Sequence, residues 1–386
     1  MKRLLLAAGL LAGLFCAAET AAQPAPAAFD TKAKQALLIE ASTGTVLFSR
    51  DPDTPFPPAS LQKLATAEYV FNELKLGHIT EDTEYKVSEY AWRTGGALSR
   101  TSAMFAALNS HIRVIDLIQG VVVQLANDGC IILAEGLAGS ESAFTDLLNK
   151  RAKVLGLKNS VFGNSNGLPN AANKMTARDL MRLARYIQST YPDYFKLYSQ
   201  REFEWNKIDQ RNRNPLVSQN IGVDGFATGF AEGIGYAIVA TAERNGTRLF
   251  MVLGGLASDK ERTEESRKML DWGFSNFTRH TVFKKGEVVA EAPVFGGDLG
   301  AVPLKAHDDV DIYIPVDNAD RIRARIAYTW PLRAPVSNDQ KIGTMTISLG
   351  DRPLRDVEVY ANTPVGTGTL TSKAFDGLKE LLFFWL

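Results

Sequence analysis

The sequence predicts a mixed α/β domain, then a small all-β domain and a terminal amphipathic helix. In the first part, strand-like runs lie at both ends and helical patterns lie between them, as in a sheet covered by helices. From about residue 281, short strand-like runs separated by turn residues replace the helical patterns. In residues 371–386, apolar side chains such as Phe375, Leu378 and Leu382 recur at helical spacing.

Each element of the first domain has its own signal. Strand-like runs cover residues 36–40, 46–48, 236–241 and 248–253. Gly44 lies in the break between the first two runs, and Asn245-Gly246, a strong hairpin signal, lies between the last two. Helical patterns cover residues 60–76, 114–137, 142–155, a segment starting at Thr176, and 268–277. In the fourth of these, Thr176 and Asp179 resemble a capping box at the start of a helix.

The composition excludes several classes of protein. The chain has 386 residues, of which 45% are hydrophobic, so it can bury the cores of two domains. Lys+Arg and Asp+Glu both number 43, so the charge gives no indication of a nucleic-acid partner. The four histidines lack metal-ligand spacing, which argues against a zinc hydrolase, and the sequence predicts no cofactor.

The N-terminus is typical of a secretory signal peptide. Lys2 and Arg3 precede an apolar run over residues 4–18, and small residues follow. We expect residues 1–22 to be removed and the protein to be exported to the periplasm. Cys16 falls in the removed part, and the residues before it do not fit a lipoprotein signal. The mature chain then keeps Cys130 alone, which can form no internal disulfide and is expected to be a core residue.

The C-terminal segment, residues 371–386, predicts a helix with one apolar face and charged residues between the apolar positions. It is too short to span a bilayer, but it suits a helix that lies in the membrane surface. The sequence therefore predicts peripheral attachment to the inner membrane. The alternative is a helix that docks on the all-β domain.

A serine and a lysine three residues apart, Ser60 and Lys63, carry the chemistry. They stand at the start of a predicted helix, where one turn brings positions i and i+3 onto the same face. The Lys63 amine could then take the proton of the Ser60 hydroxyl and activate it as a nucleophile. In the alternative interpretation, Ser60 is only a helix N-cap and Lys63 a solvated charge.

Other segments at matching distances identify a family. The chain resembles the low-molecular-mass penicillin-binding proteins of the D-alanyl-D-alanine carboxypeptidase family over nearly its whole length. The matching segments are residues 58–66, 121–138, 164–168, 175–179 and 223–229, together with the terminal β domain and amphipathic helix. The resemblance implies a serine penicillin-binding, β-lactamase-like transpeptidase fold at residues 23–280 and the β domain at residues 281–370.

The resemblance also implies roles for individual residues. Ser60 corresponds to the family nucleophile, and Lys63 to its general base. The second family motif, Ser-x-Asn, reads Leu125-Ala126-Asn127 here, so Asn127 is kept for catalysis while the proton-relaying serine is replaced by leucine.

The third family motif, Lys-Thr-Gly, lies on a strand at the edge of the site. It reads Ala227-Thr228-Gly229 in this chain. Thr228 and Gly229 correspond to substrate-binding residues, whereas Ala227 lacks the cation that would meet the substrate carboxylate. Maintenance of the fold alone could also account for the asparagine, threonine and glycine that are kept in the two motifs.

Two functions remain open on the sequence. In the first, the protein is a slow D,D-carboxypeptidase that trims peptidoglycan stem peptides ending in D-Ala-D-Ala and reacts weakly with β-lactams. In the second, it is a catalytically inactive pseudoenzyme that binds wall peptides or wall-synthesis partners. A β-lactamase is disfavoured, because it needs the missing groups and an efficient deacylating base as well.

Overall fold

The computed structural model describes residues 29–315 and 322–369. The predicted signal peptide at residues 1–22 and the predicted amphipathic helix at residues 371–386 lie outside these residues. Residues 29–31 contain no helix or strand, and every element below lies beyond them.

The described helices and strands follow the predicted order of a mixed domain and an all-β region. The helices are α1 Lys63–Lys75, α2 Glu89–Thr94, α3 Val114–Val123, α4 Asn127–Ala138, α5 Glu141–Val154, α6 Ala177–Thr190, α7 Pro192–Phe195 and α8 Asp259–Asn276. The strands of the mixed domain are β1 Gln35–Glu40, β2 Val46–Arg50, β3 Glu84–Lys86, β4 His111–Arg113, β5 Glu202–Trp205, β6 Ile208–Arg211, β7 Val223–Ala231, β8 Gly235–Arg244 and β9 Thr247–Leu256. The remaining strands are β10 Phe277–Phe283, β11 Val288–Phe295, β12 Ala301–Lys305, β13 Val310–Pro315, β14 Ile322–Tyr328, β15 Leu332–Arg333, β16 Lys341–Leu349 and β17 Arg352–Ala361.

A five-stranded antiparallel sheet in the order β2-β1-β9-β8-β7 organises the mixed domain. Both predicted hairpins form, and Asn245 and Gly246 take the positive φ angles of a tight turn. The sheet joins the two ends of the predicted domain, since β1 pairs with β9. Strand β7 is therefore held at one edge of the sheet, where it can line a groove.

Helices cover both faces of this sheet. On β1, Leu37 packs in the main helical core, whereas its neighbour Leu38 faces α8, where Gly273 comes close to it. Successive side chains on a strand point to opposite faces, so a strand buried on both sides reads as an apolar run. The run Ala36–Ile39 is accordingly buried throughout.

Two helix predictions differ from the structure. The segment 114–137 is two helices, because Leu125 has a φ of 55° and this left-handed conformation ends the first helix before the second begins. The last helix starts at Asp259, well before the predicted residue 268, and its first turn is capped by Ser258. Its early part is mostly polar, so it carries little of the apolar periodicity on which the prediction rests.

The all-β region begins at Phe277, directly after α8. It has a six-stranded sheet in the order β14-β16-β17-β12-β11-β15 and the separate pair β10-β13. Its own apolar core includes Val302, Ile312, Met345 and Val359. The structure thus confirms a mixed domain followed by an all-β domain.

Candidate active site

The nucleophile stands on a short 3₁₀ turn, Ala59–Gln62, that leads directly into α1. The Lys63 Nζ lies 3.0 Å from the Ser60 Oγ, within hydrogen-bond distance. Ala59, immediately before Ser60, has a φ of 48°, a conformation that costs a non-glycine residue roughly 1 kcal/mol. The sequence-predicted pair is therefore in contact, and the backbone beside it is strained.

Lys63 is not a solvated charge. Its side chain is among the largest that are fully buried, with only 2% of the residue exposed. Burial lowers the pKa of the Lys63 amine to about 8, because a low-dielectric surrounding disfavours the charged form. An amine with this pKa is partly neutral near pH 7, as a general base must be.

A loop at residues 164–168 holds the lysine in place. The Lys63 Nζ donates to the Asn166 carbonyl oxygen at 2.5 Å, and Thr66 on the same helix donates to the Ser165 carbonyl oxygen at 2.5 Å. Gly167 has a φ of 79°, and a Cβ there would lie 1.9 Å from the Ala59 carbonyl oxygen. Only glycine fits this position, so the loop can lie directly against the turn that carries the nucleophile.

The second motif forms part of the cavity wall. Leu125 connects α3 to α4, is 4% exposed, and lines the same cavity as Ser60. Asn127 is the first residue of α4 and lines this cavity too. An apolar side chain thus lines the cavity at this position. The family resemblance implies a proton-relaying serine there.

Asn127 has spare hydrogen-bonding capacity. Its Nδ2 donates to the Thr101 Oγ1 at 2.8 Å, and its backbone N–H donates to the Ser102 carbonyl oxygen at 2.8 Å. Within the described residues, the buried Asn127 Oδ1 has no hydrogen-bond partner. A buried acceptor without a partner is unfavourable, so this oxygen needs a donor that the described residues do not supply.

Asp128 holds the segment at residues 101–106, which contacts Asn127. Its buried carboxylate accepts from the backbone N–H groups of Met104 and Ala106 at 2.9 and 3.1 Å. Burial raises the pKa of Asp128, although these hydrogen bonds oppose the shift. The carboxylate therefore acts as a structural anchor that keeps Thr101 at the cavity.

Strand β7 supplies the third motif. Thr228 and Gly229 line the cavity, and a Cβ on Gly229 would lie 2.9 Å from the Pro58 carbonyl oxygen, so the strand approaches the nucleophile turn closely. Ala227 is 1% exposed and packs in the helical core. The seven predicted site residues thus lie in three neighbouring segments, although Ala227 and the buried Lys63 are not on the cavity surface.

The cavity has a volume of about 440 Å³ and contains two arginines that the sequence analysis did not single out. The Arg213 Nε donates to the Gln124 Oε1 at 3.2 Å, and the Thr228 Oγ1 donates to the Arg213 carbonyl oxygen at 3.1 Å. Arg262, in the first turn of α8, is 5% exposed, bonds to Asp259, and has an Nε without a partner in the described chain. Both residues offer positive charge although the family lysine is absent.

No sequence signal distinguishes these arginines from surface arginines. Arg213 follows β6 in a polar segment, and Arg262 stands among the charged residues that open α8. The fold brings them together because α8 and the segment before β7 meet at the end of the groove. Among the described residues, no group of His, Cys, Asp and Glu side chains could hold a metal ion.

Comparisons with known proteins agree with this geometry. Residues 18–256 match the family model "D-alanyl-D-alanine carboxypeptidase", and residues 277–367 match the model "Penicillin-binding protein 5, C-terminal domain". Among curated proteins, the chain is 34% identical to D-alanyl-D-alanine carboxypeptidase DacC of Escherichia coli K12 over 98% of this chain and 96% of that protein.

Two further similarities involve Haemophilus influenzae. The chain is 34% identical to its D-alanyl-D-alanine carboxypeptidase DacA over 89% of this chain and 87% of that protein. A crystal structure of its penicillin-binding protein 5 superposes with a TM-score of 0.76 at 33% identity, covering 89% of this chain and 99% of that one. The chain therefore belongs to the D-alanyl-D-alanine carboxypeptidase family.

Proposed function

We propose that this protein is an exported serine D,D-carboxypeptidase of peptidoglycan maturation that works slowly. The observation that carries the proposal is the buried Lys63 amine, 3.0 Å from the Ser60 hydroxyl, with a pKa lowered to about 8. This is the arrangement that a self-activating serine nucleophile needs. The substrate class is a stem peptide ending in D-Ala-D-Ala.

The reaction proceeds through an ester on Ser60. The neutral Lys63 amine takes the hydroxyl proton while Oγ attacks the carbonyl carbon of the penultimate D-Ala. The C–N bond then breaks, and the terminal D-Ala leaves with a proton returned to its amine. Water hydrolyses the ester and regenerates the serine. A β-lactam would acylate Ser60 in the same way: the Oγ–carbon bond forms, the strained ring C–N bond breaks, and the ring nitrogen takes the proton but stays attached to the acyl group.

Arg213 and Arg262 are suited to bind the substrate's terminal carboxylate. They line the cavity that contains Ser60, and the buried Arg262 Nε has no hydrogen-bond partner among the described residues. A carboxylate here would supply that partner and form charge-assisted hydrogen bonds with both residues. The Asn127 Oδ1, which has no partner in the described part of the chain, is proposed to accept from a peptide N–H of the substrate.

Two replaced residues account for slow turnover. Leu125 cannot relay a proton to the leaving amine, and Ala227 removes a cation from the substrate-binding edge. Losing one such group typically costs on the order of 10² to 10³ in rate. The two losses do not simply multiply, because groups of one site act as a unit.

The direct test is release of D-Ala from diacetyl-L-Lys-D-Ala-D-Ala, measured with the Ser60→Ala variant as control. We expect slow release by the natural protein and none by the variant. Equal release from both samples would exclude Ser60 as the nucleophile.

A second candidate function is that of a pseudoenzyme that binds wall peptides or wall-synthesis partners. The buried apolar Leu125 in the cavity wall favours this candidate. A pseudoenzyme would bind the peptide without forming an ester on Ser60. Peptide binding by a well-folded sample that never forms an adduct would support this candidate.

The location of the protein is also proposed. The signal-like residues 1–22 support export to the periplasm, and the amphipathic pattern of residues 371–386 supports attachment to the inner-membrane surface. Within residues 29–315 and 322–369, no helix is long and apolar enough to cross a membrane. Deleting residues 371–386 should release the protein from isolated membranes. A shortened protein that stays in the membrane fraction would contradict the proposal that these residues are the membrane anchor.

A further inference from the structure

The cavity wall contains a hydroxyl group that none of the three family motifs supplies. Thr101 lines the cavity together with Ser60, Leu125 and Asn127. Its Oγ1 accepts a hydrogen bond from the Asn127 Nδ2 at 2.8 Å. This hydroxyl therefore lies one hydrogen bond away from the second motif, where the resemblance implies a proton-relaying serine and the chain has leucine.

The Thr101 hydroxyl is linked to a second hydroxyl, that of Ser99. The two oxygens lie 2.6 Å apart, and the Ser99 Oγ donates its own proton to the Gly96 carbonyl oxygen at 2.7 Å. Because a hydroxyl has one proton, Thr101 is the donor and Ser99 the acceptor in this arrangement. Thr101 uses one lone pair for the Asn127 amide and keeps the other. Asn127, Thr101 and Ser99 thus form one hydrogen-bonded chain.

This chain connects the cavity with solvent. Thr101 is exposed and Ser99 is half-buried, whereas Leu125 is buried. If the bond between the two hydroxyls reverses, Ser99 donates to the Thr101 Oγ1, and the proton of Thr101 becomes available to a group in the cavity. Water can then supply a new proton to Ser99. The chain is therefore suited to carry a proton from solvent into the cavity.

We propose that Thr101 is a catalytic residue that protonates the leaving amine in place of the missing serine of the second motif. The inference rests on the proposed function and adds a proton donor to the same site. Lys63 takes the Ser60 proton as the Oγ–carbon bond forms. As the C–N bond breaks, the Thr101 Oγ1 gives its proton to the nitrogen and takes one from Ser99, which takes one from solvent. When water hydrolyses the ester, Lys63 returns its proton to the Ser60 oxygen. The water releases two protons, of which one replaces the proton drawn from solvent and the other comes from the new carboxyl group.

The test compares two substrates that differ in the leaving atom. In diacetyl-L-Lys-D-Ala-D-Ala the leaving nitrogen must gain a proton, whereas in the thioester diacetyl-L-Lys-D-Ala-D-thiolactate the sulfur can leave as a thiolate without one. Thr101→Val keeps a similar shape and removes the hydroxyl. It should lower kcat/KM for the amide by about 10²-fold and change kcat/KM for the thioester by no more than about twofold. Thr101→Ser restores a hydroxyl and should recover most of the amide rate. Thr80→Val, at an exposed threonine that does not line the cavity, is the matched control and should change neither rate.

The other outcomes separate this inference from the proposed function. If Thr101→Val slows both substrates equally, Thr101 only positions Asn127, and if it slows neither, Thr101 has no role; both results overturn the inference and leave the carboxypeptidase proposal standing. A loss of the amide rate in Ser102→Ala but not in Thr101→Val would assign the proton donor to this neighbouring residue of the cavity wall and would also overturn it. A natural protein that cleaves the thioester but not the amide has a working nucleophile and no relay. Failure to cleave either substrate would overturn both proposals.

Discussion

The residues around the nucleophile cavity form two groups that differ in what they keep. In the first group, Ser60 and Lys63 are in contact, and the loop at residues 164–168 holds the lysine. In the second group, the family resemblance implies that Leu125 and Ala227 replace a proton relay and a cation. In the proposed mechanism, the group that makes the nucleophile is complete, whereas the group that handles the leaving amine and the carboxylate is depleted.

The difference indicates which step each group controls. The lowered pKa of Lys63 comes from burial, so the base does not depend on a cation at position 227. We therefore expect acyl-enzyme formation to persist while reactions that need a proton relay become slow. Variants of each group can test this division.

The largest effect is expected from removing the base. Lys63→Met keeps a similar apolar volume, and it should lower the rate of Ser60 acylation by about 10² to 10⁴ because proton removal is lost. The measurement is the rate of adduct formation with penicillin. An unchanged rate in a folded variant would show that another group is the base.

Restoring the serine and the lysine of the depleted group should raise the rate of D-Ala release. Leu125→Ser with Ala227→Lys is expected to gain on the order of 10². Leu125→Ser alone should also lower the free energy of unfolding by about 2 kcal/mol, because a buried leucine is lost. Leu125→Ala, which removes bulk without adding a hydroxyl, is the matched control. If Leu125→Ala releases D-Ala as fast as Leu125→Ser, the bulk of Leu125, and not the missing proton relay, limits the rate of the enzyme.

The arginines should matter for recognition more than for the chemical step. Arg262→Gln is expected to weaken binding of a peptide with a free carboxylate by about 10- to 100-fold, the value of a hydrogen bond to a charged group. Arg267→Gln, an exposed arginine on the same helix, should have no effect. Each substitution is made in the Ser60→Ala variant, and titration with the peptide measures the affinity. Equal affinities of the two variants would contradict the role of Arg262 in carboxylate binding.

The smallest effect concerns pH. With a Lys63 pKa of about 8, the neutral base rises from about a tenth of the molecules at pH 7 to about nine tenths at pH 9. Because the neutral amine is the active form, the acylation rate should increase about tenfold over this range and then level off. A flat profile would mean that Lys63 does not limit acylation.

The sequence predicts the fold well where periodicity and turn residues agree. The β1-β2 and β8-β9 hairpins and the α6 start at Thr176 follow from local signals, and Thr176 does accept from the Asp179 backbone N–H. The break at Leu125 is not predictable in this way, since an apolar residue within an apolar run gives no sign of a positive φ.

The site is predictable only where residues stand close in sequence. Ser60 and Lys63 are linked by helix geometry, and the family resemblance supplies the other motifs. Arg213, Arg262 and Thr101 reach the cavity through tertiary packing, which single-sequence patterns do not encode. The Asn127 Oδ1, which has no hydrogen-bond partner among the described residues, likewise becomes evident only when burial is known.

The central claim is that Ser60 and Lys63 still work as a nucleophile and its base. Intact-mass measurement of the mature protein after long incubation with a penicillin tests it most directly, with Ser60→Ala as the control. We predict an added mass of one penicillin on the natural protein and none on the variant. A well-folded natural protein that gains no mass would contradict the account and favour the pseudoenzyme.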